Sequence, residues 1–137
     1  MYKTVLVKEM IEDGSRLLRQ LDDQGVEVSA AAWFDDPEQS SWKLVIVTPL
    51  AGDPRSPEAG PLEAYMRIQG AMAGLGLHFS LDDIVVMSPN SRKFEDFRRT
   101  IEGVTGALLR AKAPSEGVAF DDAYIYRWLE YRAFPSI

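Results

Sequence analysis

Two apolar runs in this chain, Leu44-Val45-Ile46-Val47-Thr48-Pro49 and Ile84-Val85-Val86-Met87-Ser88-Pro89, end alike, each closed by a hydroxyl residue and a proline. Apolar residues at both parities predict strands covered on both faces. Proline has no N–H to donate and so ends the ladder. Between the runs, Leu62, Tyr65, Ile68, Met72 and Leu75 recur at helical spacing behind Pro61, a residue favoured at the first helical position. Strand, helix and strand in succession predict two parallel strands joined by a helical crossover. The helix is expected to bury Leu62, Tyr65, Ile68 and Met72 against them.

The same periodicities organise the rest of the chain. Val7, Met10, Ile11, Leu17, Leu18 and Leu21, with Gly14 on the same stripe, predict a first helix over residues 4–24, stopped by Gly25. Residues 26–34 read as a first strand with Val26, Val28, Ala30, Ala32 and Phe34 on one face. The polar segment 35–40 is a turn, residues 42–48 return as the second strand, and Trp33 and Trp42 sit near the hairpin tip. A third strand is expected over 83–88. Ser91 then caps a third helix with Phe94, Phe97 and Ile101 inward. Residues 107–113 predict a fourth strand, and 118–128 a long fifth one. The expected fold is α/β (or α+β), in the order α-β-β-α-β-α-β-β. It is a mixed five-stranded sheet with helices packed on it, in a single globular domain spanning 1–137.

Composition narrows the function classes. A chain of 137 residues is long enough to bury a core without a disulfide or metal. It contains no cysteine, which excludes a disulfide framework, a thiolate metal site and a cysteine nucleophile. The net charge is −6 and the basic residues are scattered, with only Arg92-Lys93 and Arg98-Arg99 as doublets. Nucleic-acid binding depends on neutralising phosphates, so the chain is a poor candidate for it. The amino terminus lacks the pattern of a signal peptide and no apolar run approaches a membrane span, so a soluble cytoplasmic protein is expected.

Open α/β sheets tend to bind ligands beyond the carboxyl ends of parallel strands. There the sequence offers Thr48, Ser88, Asn90 and Arg92, with Arg55 on the loop above. Hydroxyls, a helix amino terminus and an arginine suit a small anion. The plainer expectation is that Ser and Thr close strands and cap helices. Asp122 shares a strand face with Phe120, Tyr124 and Tyr126, where a carboxylate has to be hydrogen-bonded, paired or protonated; a structural carboxylate is expected. His78, the sole histidine, lies between Leu77 and Phe79, and no nucleophile elbow accompanies it. A metal-dependent nuclease would need an acid on one strand and Asp/Glu-x-Lys on the next. Asp35 and Asp36 are followed only by Ser41-Trp42-Lys43, which lacks the second acid. No cofactor or metal is expected.

The carboxyl-terminal stretch is dense in aromatics, with Tyr124, Tyr126, Trp128, Tyr131 and Phe134 close together. Tyr and Trp anchor protein interfaces. A homodimer is therefore expected, with Tyr126, Trp128, Tyr131 and Phe134 contributing contact area.

Segments 42–49, 60–69, 81–84, 88–90 and 122–127 together give the chain a resemblance to a group of small single-domain bacterial proteins of unassigned function. The resemblance implies one compact bacterial domain and carries no catalytic residue or cofactor with it. The expected function is a non-catalytic, self-associating interaction module, with a protein partner as a further occupant. The alternatives are a small-anion or nucleotide-binding enzyme or sensor at the strand-end edge and, third, a divergent nuclease.

Overall fold

The computed structural model describes residues 8–36, 41–52, 61–105, 118–120 and 123–128. Helix α1 (Lys8–Asp23) leads into the strands β1 (Ala30–Asp36) and β2 (Ser41–Val47). A 3-10 turn at Pro49–Ala51 precedes α2 (Pro61–Met72), and another at Leu81–Asp83 precedes β3 (Ile84–Met87). Helix α3 (Arg92–Thr105) and the strands β4 (Val118–Phe120) and β5 (Ala123–Arg127) follow.

The strands form one mixed sheet in the order β3-β2-β1-β5-β4. β1 lies at its centre, antiparallel to β2 and β5. β2 and β3 run parallel, with Leu44 opposite Ile84 and Val47 opposite Met87, as the matched apolar runs predict. Alternation of side chains across the strands sorts the core into two clusters. Leu44 and Ile46 of β2, Ile84 and Val86 of β3 and Trp33 of β1 pack with Leu17, Leu21 and Ile68 of α1 and α2. On the opposite face Ala30, Ala32, Val45, Val47, Met87 and Ile125 pack with Phe94, Phe97 and Ile101 of α3. The mixed α/β architecture is thus a sheet between two helical layers, which is why β2 and β3 are apolar at both parities.

Several elements differ in detail from the sequence expectation. β1 starts at Ala30, and Val26 and Val28 join Trp33 in the α1/α2 cluster while Ala30 and Ala32 face α3. A continuous strand from residue 26 would hold all four on one face. The segment changes phase before the ladder begins, and the Ser29 N–H donates to Val47 O at 2.7 Å. The long strand expected over 118–128 is two antiparallel strands, with Phe120 opposite Ala123. The strand expected over 107–113 lies outside the described residues, as does Asp122, and the five strands among the described residues do not divide the chain as expected.

α2 is rotated relative to its expected face. Ala64, Ile68 and Ala71 are buried, Tyr65 and Met72 are half-buried, and Leu62 is 73 % exposed. Helical spacing points to the largest apolar residues as the inner stripe. The helix instead turns its alanines inward, which lets its backbone lie close to the sheet.

β3 is an edge strand among the described residues, and edge strands present unpaired backbone groups to any passing chain. Tyr65 covers this one. Its hydroxyl donates to Ile84 O at 3.4 Å and accepts from Val86 N at 3.2 Å. One side chain thus does what a neighbouring strand residue would do.

Candidate functional site

The carboxyl ends of β2 and β3 do stand side by side, because Val47 pairs with Met87 and the Thr48 N–H donates to Met87 O at 3.0 Å. The hydroxyls there are committed to the chain itself. Thr48 Oγ1 accepts from Leu50 N at 3.2 Å, capping the 3-10 turn. Ser88 Oγ donates to Gly52 O at 2.9 Å and accepts from Asn90 N at 3.2 Å. Ser91 caps α3, with its Oγ accepting from Phe94 N at 3.1 Å. Thr48 and Ser88 are buried, whereas Asn90 and Arg92 are exposed, and no hydrogen bond among the described residues joins Arg92 to either hydroxyl. Thr48 and Ser88 lie at the ends of the paired strands, and their hydroxyls are bonded within the chain. Arg55 lies outside the described residues.

Trp128, just after β5, turns inward, while Tyr124 and Tyr126 of β5 are half-buried. Trp128 is 0 % exposed and packs at 6.0 Å from both the Phe94 and Phe97 rings. Its Nε1–H finds no acceptor among the described residues. Tyr126 is half-buried on the other face. Trp33 Nε1–H donates to its hydroxyl at 3.0 Å, and that hydroxyl donates to Ile11 O in α1. Burial pushes the Tyr126 phenol above its ordinary value, partly offset by the Trp33 hydrogen bond. The helix comes this close because residue 14 is glycine: a Cβ there would lie 2.8 Å from Tyr126 Cζ and 3.1 Å from Trp33 Nε1. The contact area expected of Trp128 at an interface is therefore used within the chain, and that of Tyr126 in part. Tyr131 and Phe134 lie outside the described residues.

A constellation absent from the sequence expectation forms where α1 meets the segment after α2. Asp13 is 4 % exposed, on the apolar stripe of α1 between Met10 and Leu17. Its Oδ2 accepts the His78 backbone N–H at 2.7 Å and meets His78 Nδ1 at 2.6 Å. Its Oδ1 accepts from Arg16 Nη1 at 3.1 Å, and Arg16 Nη2 donates to Leu75 O at 2.8 Å. Gly74 and Gly76 adopt φ of 82° and 65°, a left-handed conformation that glycine tolerates and that turns the chain back toward α1. Phe79 then seats edge-on against Trp33 at 5.1 Å. Burial alone would raise the Asp13 carboxyl, but the hydrogen bonds from the His78 ring and backbone and from Arg16 outweigh it and hold it below the ordinary carboxylate range. The carboxylate is an acceptor only, so Nδ1 carries a proton, and in the neutral ring Nε2 has the lone pair. The His78 side chain is 61 % exposed. The signal available in the sequence was an acid at i−4 to Leu17 inside an apolar stripe.

At the hairpin, Asp35 and Lys43 do not converge. Asp35 pairs with Trp42 and Phe34 with Lys43, so Asp35 and Lys43 lie on opposite faces of the sheet. Lys43 Nζ donates to Asp82 O at 3.2 Å. Among the described residues no group of three or more His, Asp or Glu side chains converges as metal ligands.

The largest apolar side chains left in solvent among the described residues are Leu62 at 73 % and Met66 at 58 % exposure. They are one turn apart on α2, so they adjoin on its outer face. Beside them Arg67 Nε donates to Glu63 Oε2 at 3.1 Å. No protein family, no curated protein and no solved structure matches this chain. Among the described residues no helix is long and apolar enough to cross a membrane.

Proposed function

We propose that the chain is a non-catalytic interaction module of the bacterial cytoplasm that associates with a second copy of itself through the outer face of α2. The observation that carries this reading is the adjoining exposed pair Leu62 and Met66. Single exposed apolar residues are common on any protein surface, but here both fall on one helical face.

The second copy is favoured as occupant by the charges flanking the pair. Glu63 and Arg67 are one turn apart, as Leu62 and Met66 are. An antiparallel two-fold pairing of α2 with α2 sets the Glu63 of each copy opposite the Arg67 of the other, and the same operation brings the apolar pairs together. A surface that complements itself under a two-fold axis suits an isologous dimer. The contact is narrow, one helix face wide, so the dimer belongs to the small, transient class of interfaces.

Charge exchange tests this reading. Glu63→Arg alone sets like charges opposite each other in its own homodimer, and so does Arg67→Glu. An equimolar mixture of the two variants restores opposite charges at both contacts. The expected result is weakened self-association of each variant and recovered association in the mixture, measured by sedimentation velocity. Equal association in all three samples would contradict the antiparallel α2 contact.

A further inference from the structure

We infer that His78 is a phosphoryl-acceptor site: its Nε2 is a positioned nucleophile that takes a phosphoryl group from a small donor of the acyl phosphate or phosphoramidate class. This inference is independent of the α2 contact.

Three features of the geometry support it. First, the tautomer is fixed, because the buried Asp13 carboxylate can only accept and Nδ1 stands 2.6 Å from its Oδ2. In the neutral ring the unprotonated nitrogen is then Nε2, on a side chain 61 % exposed. Second, the backbone that carries the ring is fixed, because the same oxygen also holds the His78 backbone N–H at 2.7 Å, and Phe79 next along the chain is buried against Trp33. A carboxylate that orients an imidazole and steadies the positive charge developing on it is the arrangement that activates histidine in nucleophilic chemistry. Third, Arg16 is held by the other oxygen of the same carboxylate and is partly exposed. Its unused N–H groups suit the oxygens of an incoming phosphoryl group, which a guanidinium binds well.

The step balances without a metal or redox partner. The Nε2 lone pair attacks phosphorus and the Nε2–P bond forms. The bond from phosphorus to the donor breaks, and its electron pair leaves with the carboxylate of an acyl phosphate or with the ammonia of phosphoramidate. The ring keeps its Nδ1 proton, and its positive charge faces Asp13.

The probe is potassium phosphoramidate applied to the full chain at neutral pH. Acid-labile incorporation is followed by mass spectrometry and the bonded nitrogen is identified by NMR. The expected result is a single phosphoryl group on His78, bonded through Nε2, formed about tenfold or more faster than on N-acetylhistidine. In Asp13→Asn the acceleration should be lost and the label should divide between the two ring nitrogens. The wild-type rate and regiochemistry decide the matter even where that variant does not fold. Labelling no faster than N-acetylhistidine, or labelling at Nδ1, would overturn the assignment and leave His78 as an anchor of its loop only.

Discussion

Asp13 and His78 are joined twice through a single oxygen: Oδ2 receives the backbone N–H at 2.7 Å and the ring Nδ1 at 2.6 Å. The pair fastens the segment after α2 to α1, sixty-five residues apart in sequence. Its stabilisation depends on the carboxylate being ionised. Because the folded Asp13 is held below the ordinary value of 3.8, its contribution is fully present above that pH and is lost as pH falls through the lower, folded value. Asp13→Asn, which removes the charge at every pH, should cost about 1.5–3 kcal/mol at neutral pH, the range for hydrogen bonds to charged groups. Urea denaturation at pH 7 and at stepwise lower pH checks this: the gap between wild type and variant should close only in strong acid.

Gly14 is the point where α1 touches β5. Gly14→Ala drives a methyl group into the Tyr126 ring and toward the Trp33 indole, and overpacking of this kind costs about 1–3 kcal/mol. Tyr126→Leu should relieve part of that cost, so a double-mutant cycle by denaturant unfolding should return a coupling of about 1 kcal/mol or more. Additivity of the two substitutions would contradict the close approach.

Trp128 should matter to folding and not to association. It is fully buried between Phe94 and Phe97, and Trp128→Ala is expected to cost about 3–5 kcal/mol of stability. Self-association of the folded fraction should be unchanged. A variant with full stability and lost association would return the carboxyl-terminal aromatics to the interface.

Tyr65→Phe removes the hydroxyl that covers β3 and leaves the ring in place. The expected cost is about 1 kcal/mol, with faster hydrogen exchange confined to Val86, whose N–H donates to that hydroxyl. Exchange at Val86 unaltered by the substitution would contradict its capping of the edge.

Much of this architecture can be read in the chain, because it rests on local patterns. The matched runs ending in Thr48-Pro49 and Ser88-Pro89 gave the parallel pair, and Ser91 gave the start of α3. The failures are equally physical. Periodicity shows that α2 has an inner face but not which one, because Ala64 and Ala71 can face the sheet more closely than Leu62 can. The phase change between Val28 and Ala30 is set by pairing with Val47, a contact no local window contains. Thr48 and Ser88 follow paired strand ends, but whether a hydroxyl bonds its own backbone or a ligand depends on where Leu50 and Gly52 fall. No local window pairs His78 with Asp13, because the partner lies on another element. The misplaced polarity of Asp13 within the α1 stripe was the visible trace of that partnership.

The central claim, self-association through α2, is tested most directly by sedimentation equilibrium of the full chain beside the double variant Leu62→Ser/Met66→Ser. Both residues are exposed, so the variant should fold with wild-type stability. The account predicts a concentration-dependent monomer–dimer equilibrium for the wild type and a monomer for the variant over the same range. A wild-type chain that stays monomeric, or a variant that associates as strongly as the wild type, would contradict it.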